Sequence, residues 1–208
     1  MPVMMVFAKA PLPGAVKTRL AKDVGNINAA RIYKKMMRTY LEKICSIPGL
    51  TVQLWCSPDV QHPFFMQCAR DFDIALYRQS GRDLGCKMSN AFRRNVMFGN
   101  NIMLLSGTDI PGIGEDDITQ AIEHLENNID VVLTPTLDGG YGMIAMRSCK
   151  TFLFQNMLWS VPNVLQHTCQ RIRRRQLSFE LLAYKQDIDN RQDYKDYIRK
   201  ERFTMSGS

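Results

Sequence analysis

The stretch that most constrains this chain is residues 102–111, Ile-Met-Leu-Leu-Ser-Gly-Thr-Asp-Ile-Pro. Its first half is apolar or small, the pattern of a short strand buried on both faces of a parallel sheet. The run stops at Gly107, and Asp109 follows just before Pro111. A carboxylate at the carboxyl end of a central strand projects into the crevice where open α/β sheets bind ligands. Hard divalent cations seek such an oxygen, as do the phosphates that arrive with them. Gly-x-Asp-x-Pro is equally good turn chemistry, so this stretch alone leaves both roles open.

With 208 residues the chain is long enough for one domain with a substantial core, expected over 1–203 with a tail at 204–208. Hydrophobic residues make up 45% and charged residues 23%, an ordinary globular balance. No run approaches the ~20 apolar residues that cross a bilayer. Residues 1–8 are too short for a signal-peptide core and end at Lys9, so a cytoplasmic location is expected. The six cysteines form no Cys-x-x-Cys pair, which favours buried free thiols. His62, His124 and His167 lack metal-ligand spacing, so no structural zinc is expected. The net charge of +7 raises nucleic-acid binding as a class. Yet the only dense basic run, 171–175, has no aromatic interleaving and reads as a solvated helix end, so no nucleic-acid partner is expected.

A buried first strand over 2–8 leads into residues 9–20, Lys-Ala-Pro-Leu-Pro-Gly-Ala-Val-Lys-Thr-Arg-Leu. Pro11, Pro13 and Gly14 forbid regular structure there, so a stiff loop leaves the strand. Lys9, Lys17 and Arg19 crowd it with positive charge. Backbone amides, a helix start and cations together suit a polyphosphate; an ordinary Pro-rich surface loop is the alternative. Neither a Walker A loop nor the spaced glycines of a dinucleotide fingerprint is present.

Apolar residues at three- and four-residue steps, among them Tyr33, Met36, Met37 and Tyr40, predict a helix over 28–47. Strands are expected over 51–56 and 74–77, and a helix over 62–71. A glycine-punctuated loop carrying Arg82 and Lys87 should feed a helix over 88–98. Glu115, Asp116 and Asp117 suit the first turn of a helix running to about 126, as the macrodipole prefers. After a strand over 130–134 comes Asp138-Gly-Gly-Tyr141, where the glycines allow a tight turn or the approach of a ligand and the tyrosine can stack or hydrogen-bond. A plain hairpin turn serves equally well. A returning strand over 142–146, a helix over 161–175, a strand over 181–184 and a helix over 191–200 complete the pattern. Asp187 and Asp189 are one residue apart and would share a side if extended.

Taken in order, the 7–20 loop, Leu-Gly-Cys-Lys-Met at 84–88, Gly-Thr-Asp-Ile-Pro at 107–111, Asp-Gly-Gly-Tyr at 138–141, Trp159-Ser160 and Asp187-Ile-Asp189 carry a resemblance. The chain resembles the bacterial A-type-fold glycosyltransferases described as nucleotide-diphospho-sugar transferase-like, some grouped with arsenosugar biosynthesis. It is more distantly similar to molybdenum-cofactor guanylyltransferase and phospholactate guanylyltransferase. The resemblance spans nearly the whole chain. It implies a three-layer, Rossmann-like α/β fold with a mostly parallel central sheet, the nucleotide lying against the N-terminal loop. Lys17 and Arg19 would hold phosphates, Lys9 and Gly14 would line the site, and Lys87 stands where relatives carry Arg. Asp109 would hold Mg2+ or Mn2+ with Asp189. Gly107 replaces the second carboxylate of the Asp-x-Asp form. Asp138, Gly139, Gly140 and Tyr141 would line the acceptor or donor side.

The chemistry of transfer from a nucleotide agrees with these residues. Negative charge on a departing diphosphate, or on an attacked α-phosphate, would be met by Lys17 and by a cation on Asp109. The expected function is therefore metal-dependent transfer from a nucleotide-activated donor, a nucleotide sugar first, to a small-molecule acceptor. Nucleotidyl transfer with pyrophosphate release and catalytically silent nucleotide binding are the alternatives.

Overall fold

The computed structural model describes residues 1–205. Seven strands form one sheet in the order β3-β2-β1-β4-β6-β5-β7. They are β1 (Val3–Lys9), β2 (Thr51–Ser57), β3 (Ala75–Arg78), β4 (Met103–Gly107), β5 (Val131–Pro135), β6 (Tyr141–Met146) and β7 (Phe179–Leu181). All neighbouring pairs are parallel except those made by β6, which runs antiparallel to both β4 and β5. β1 and β4, at the centre, are buried on both faces, as their continuous apolar runs require.

The helices are α1 (Thr18–Val24), α2 (Asn26–Cys45), α3 (Pro63–Phe72), α4 (Leu84–Met97), α5 (Glu115–Glu126), α6 (Val164–Arg174) and α7 (Arg191–Met205). One apolar cluster joins α2, α3 and α5 to one face of the sheet through Tyr40, Leu41, Phe65, Ile118 and Leu125. A second joins α4, a 3-10 turn at Thr151–Leu153 and α6 to the other face through Met88, Phe92, Phe154 and Ile172. The result is the three-layer α/β architecture that the sequence predicts.

Several element ends differ from the sequence reading, each for a local reason. Gly25, at φ 81°, breaks what would be one long helix into α1 and α2. Asp83 caps α4 by accepting from the Cys86 amide at 2.7 Å, so α4 starts at Leu84 rather than 88. β7 overlaps the expected 181–184 strand only at Leu181, where it ends; beyond it Leu182 and Lys185 still donate to the carbonyls of Leu133 and Pro135. α6 starts three residues late, after the turn holding Pro162. α7 runs to Met205, so the expected tail loses residues 204 and 205 to the helix, and 206–208 lie outside the described residues. Among the described residues no helix is long and apolar enough to cross a membrane, and all six cysteines are free thiols.

Candidate active site

The carboxyl ends of β1 and β4 open into a crevice of about 690 Å³, at the position where such sheets bind ligands. Its polar end is built from the loop after β1, the end of β4 and a strap formed by residues 185–189. Lys17 organises this end. Its backbone is left-handed (φ 47°, ψ 46°) and caps α1, turning the side chain away from solvent. The ammonium lies 2.7 Å from Asp109 Oδ1 and donates to the Ile188 carbonyl at 2.7 Å. The two partners differ in exposure: the Lys17 side chain is 4% exposed and that of Asp109 is 57% exposed. The Ile188 amide donates to the Asp109 carbonyl at 3.2 Å, so strap and β4 loop are also joined through their backbones.

Tyr33, which the helical periodicity places in the core, also supports the crevice wall. Its hydroxyl accepts from the Lys9 amide at 3.0 Å and from Thr108 Oγ1 at 2.9 Å, linking the ends of β1 and β4. Burial, with the nearby Asp109 carboxylate, pushes its pKa upward, so it stays a neutral phenol. Gln79 performs a similar task, donating to the carbonyls of Ala8 and Trp55 at 3.1 and 2.7 Å. Nothing in the spacing of Tyr33 or Gln79 marks them as site residues.

The strap separates the two carboxylates that the sequence places together. Asp187 lines the crevice, whereas Asp189 is bound by Arg19 and is not among the lining residues. Ile188 is buried between them. Burial, then the Asp189 and Asp138 carboxylates, pushes the Asp187 carboxyl up to about 6. The strap is held from behind by Lys185, whose ammonium lies 2.7 Å from Asp117 Oδ1; Asp117 Oδ2 in turn accepts from the Gly114 amide at the start of α5. The acidic first turn of α5 thus has a structural task.

The other expected residues divide in two. Lys9, Lys17, Lys87, Asp109, Asp138 and Tyr141 line the crevice; Gly14, Arg19, Gly139 and Gly140 do not. Gly14 takes a left-handed φ of 82° in the exposed loop. Gly139 and Gly140 form the β5–β6 hairpin turn, and a Cβ on Gly139 would lie 1.8 Å from the Pro162 carbonyl oxygen. The need for glycine there comes from packing beneath the 162 loop. Asp138 Oδ1 accepts from Thr136 Oγ1 at 2.6 Å and from the Gly140 amide at 3.0 Å, which fixes the same turn.

Away from the carboxylates the walls become apolar, with Phe7, Leu84, Met88, Leu105, Ile144 and Trp159. A Cβ on Gly85 would stand 2.9 Å from the Trp159 ring, so glycine lets the indole settle on α4. The crevice therefore offers a charged end for phosphates and a flat apolar end for a ring.

Among the described residues no group of three His, Cys, Asp or Glu side chains is arranged to hold a metal. A closed protein cage is thus absent. Asp109 and Asp187 nevertheless present carboxylate oxygens to one crevice, and no basic side chain pairs with Asp187 among the described residues. That donor set fits a hard divalent cation that uses one or two carboxylates and completes its shell with phosphate and water.

Comparison with known proteins places the fold. Residues 40–161 match the family model described as "Uncharacterized protein conserved in bacteria (DUF2064)". Among curated proteins none matches the sequence. The fold is similar to that of a "putative nucleotide-diphospho-sugar transferase" from Desulfovibrio desulfuricans G20, with a TM-score of 0.84 and 28% identity over 91% of this chain and 84% of that one. It is also similar to a cytidylyltransferase from Leptospira borgpetersenii (TM-score 0.59, 13% identity, 93% and 84% covered). A third is a 4-diphosphocytidyl-2C-methyl-D-erythritol synthase from Anaerococcus prevotii (TM-score 0.60, 12% identity, 92% of each chain).

Proposed function

The chain belongs to the DUF2064 family, and from that premise we propose that it is a metal-dependent transferase acting on a nucleotide-activated donor, foremost a nucleotide sugar. One observation carries the reading: the buried Lys17 ammonium stands at the charged end of the crevice, between Asp109 and the strap carbonyl of Ile188. A fixed cation in a partly desolvated site stabilises negative charge that develops on a leaving diphosphate. Lys9 and Lys87, also on the crevice, add donors to the same phosphates. Asp109 and Asp187 would hold Mg2+ or Mn2+, which supplies further charge neutralisation at the phosphate oxygens. Asp189, bound to Arg19, would orient the strap. Trp159 and Leu84 would take the flat face of the sugar or acceptor.

In this reaction the acceptor oxygen attacks the anomeric carbon, the carbon–oxygen bond to the diphosphate breaks, and the nucleoside diphosphate leaves. No side-chain nucleophile is required. Nucleotidyl transfer, with attack at an α-phosphate and release of pyrophosphate, is a second reading. It is supported by the likeness of the fold to those of the cytidylyltransferase and the 4-diphosphocytidyl-2C-methyl-D-erythritol synthase, while Gly107, which leaves Asp109 without the paired carboxylate of the Asp-x-Asp form, keeps catalytically silent binding open. Incubating the protein with nucleoside triphosphates and their diphosphate sugars, with Mg2+ or Mn2+ and a panel of small acceptors, separates the two. Free nucleoside diphosphate supports sugar transfer and pyrophosphate supports nucleotidyl transfer. An inert protein with every donor overturns both in favour of catalytically silent binding.

A further inference from the structure

The apolar end of the crevice is set apart by the polar groups missing from it as well as by its rings. Phe7, Leu105 and Ile144 of the sheet and Met88 of α4 belong to the apolar cluster on the α4–α6 face, and Tyr141 and Trp159 pack against it. Leu105 and Ile144 are register partners on β4 and β6, so this floor extends from β4 toward β6. Trp159 sits against Gly85 of α4 and stays half-buried, with its ring on the crevice. The Tyr141 hydroxyl is buried beside Thr168 of α6, so the crevice meets the ring of this tyrosine and not its polar group.

The polar side chains lie elsewhere along the crevice. Asp187 feels the charges of Asp189, Asp138 and Lys17, and Lys17 holds Asp109, so these groups make up the charged end. Gln79 stands on the opposite side of β1 from β4, after β3, with its amide bonded to the Cys56 carbonyl of β2. Its Nε2 donates to the carbonyls of Ala8 and Trp55, which commits the nitrogen and leaves Oε1 as an acceptor without a partner among the described residues. A nucleobase carries hydrogen-bond donors along its edge and finds a side-chain acceptor at Gln79, whereas the apolar floor offers none. Sheet order thus separates a base position on the β2–β3 side, phosphates at the ends of β1 and β4, and a ring position toward β6.

We infer that the apolar end holds the acceptor, and that this acceptor is an alcohol or phenol carried on an apolar ring rather than a second sugar. The inference rests on the sugar-transfer reading given above. A sugar can lay a C–H face on an indole, but its hydroxyls then need polar partners around them, and burying them unpaired is costly. An apolar ring between Trp159 and Tyr141 meets no such cost and gains from the area it removes from water. In the transfer, the acceptor oxygen bonds to the anomeric carbon as the bond from that carbon to the diphosphate oxygen breaks. The acceptor's proton passes to the departing nucleoside diphosphate.

Ligand-observed NMR on the full chain tests this in metal-free buffer, with benzyl alcohol and cyclohexylmethanol as ring probes and glucose as the sugar probe. The ring alcohols should bind roughly tenfold more tightly than glucose. Trp159→Ala should weaken them about tenfold. Leu84→Asp should weaken them severalfold without unfolding the chain, because Leu84 is 43% exposed and an acid suits the first turn of α4. The nucleoside diphosphate that raises the melting temperature most should bind together with benzyl alcohol, each changing the other's affinity by about twofold or less. Displacement of benzyl alcohol by that nucleotide overturns the inference and assigns the apolar end to the base. Glucose binding as tight as that of the ring alcohols overturns it in favour of a sugar. Ring alcohols that fail to bind while a nucleotide still stabilises the protein overturn the inference alone. Ring alcohols bound by a protein that no nucleotide stabilises overturn the proposed function, and the acceptor role with it.

Discussion

The Lys17 ammonium lies 2.7 Å from Asp109 Oδ1, yet the cation is almost fully buried and the carboxylate is half in solvent. The pair is therefore asymmetric: the Ile188 carbonyl also holds Lys17, while Asp109 is free to exchange its partner for a bound cation. The buried ammonium is already met by the Asp109 carboxylate, and under the proposed function a phosphate takes that place when Asp109 turns to a bound cation.

Substitution of Lys17 separates its backbone role from its charge. The left-handed conformation costs an L-residue about 1 kcal/mol that glycine avoids. Lys17→Gly should thus be about 1 kcal/mol more stable than Lys17→Ala in urea unfolding. Both variants should lose roughly tenfold or more in nucleotide affinity, the worth of one charge-assisted hydrogen bond. Retained affinity in either would remove Lys17 from the site.

Asp109→Asn keeps the volume and the hydrogen-bond acceptor facing Lys17 but removes the charge. Nucleotide affinity measured calorimetrically without metal should be unchanged or stronger, because a negative group near the phosphates is gone. The gain on adding Mg2+ should fall to about tenfold less than in the native protein. An unchanged metal response would place the cation elsewhere.

For Asp187 the sign of the pH dependence follows from its raised pKa. With the folded group near 6 and an unfolded carboxyl near its ordinary value of 3.8, the native state binds more protons across the interval. Stability from this group is thus fully present below the unfolded pKa and is lost as pH rises toward 6. Asp187→Asn should raise the melting temperature at pH 7.5 and have little effect at pH 4, in metal-free buffer. A variant less stable than the native protein at pH 7.5 would contradict the assigned burial of an unpaired carboxylate.

Gly139→Ala would drive a methyl into the Pro162 carbonyl at a φ of 87°. A loss of about 2–4 kcal/mol is expected, seen as a melting point roughly 5–15 °C lower. Gly140→Ala meets its nearest atoms at 3.3 Å and should shift the midpoint by roughly 2 °C or less. Equal effects at both positions would contradict a packing role specific to Gly139.

Much of this was legible in the sequence where one physical cause dominates. The apolar run ending at Gly107 is a central strand with Asp109 at its end, and the stripe containing Tyr33, Met37, Tyr40 and Leu41 is buried on α2. Periodicity reports burial, and here burial and position coincide. What the sequence could not resolve depends on long-range partners. The Asp187–Asp189 pair reads as same-sided in an extended segment, but the ion pair with Arg19 draws Asp189 to the rim and leaves Asp187 on the crevice. Tyr33 reads as core because only its hydroxyl, linking Lys9 and Thr108, belongs to the site. Gly139 reads as a ligand contact or a turn alike until Pro162, 23 residues on, is seen against it.

Under the proposed function, the crevice binds nucleotide phosphates through Lys17 and a divalent cation. Thermal melting with nucleoside triphosphates and their diphosphate sugars, with and without Mg2+ or Mn2+, tests it most directly. A ligand at a hundredfold its dissociation constant adds about 2.7 kcal/mol, or roughly 5–10 °C for a chain of this size. The expected result is a metal-dependent rise with at least one nucleotide that is absent in Lys17→Ala. No rise with any nucleotide, or an equal rise in Lys17→Ala, would contradict the claim.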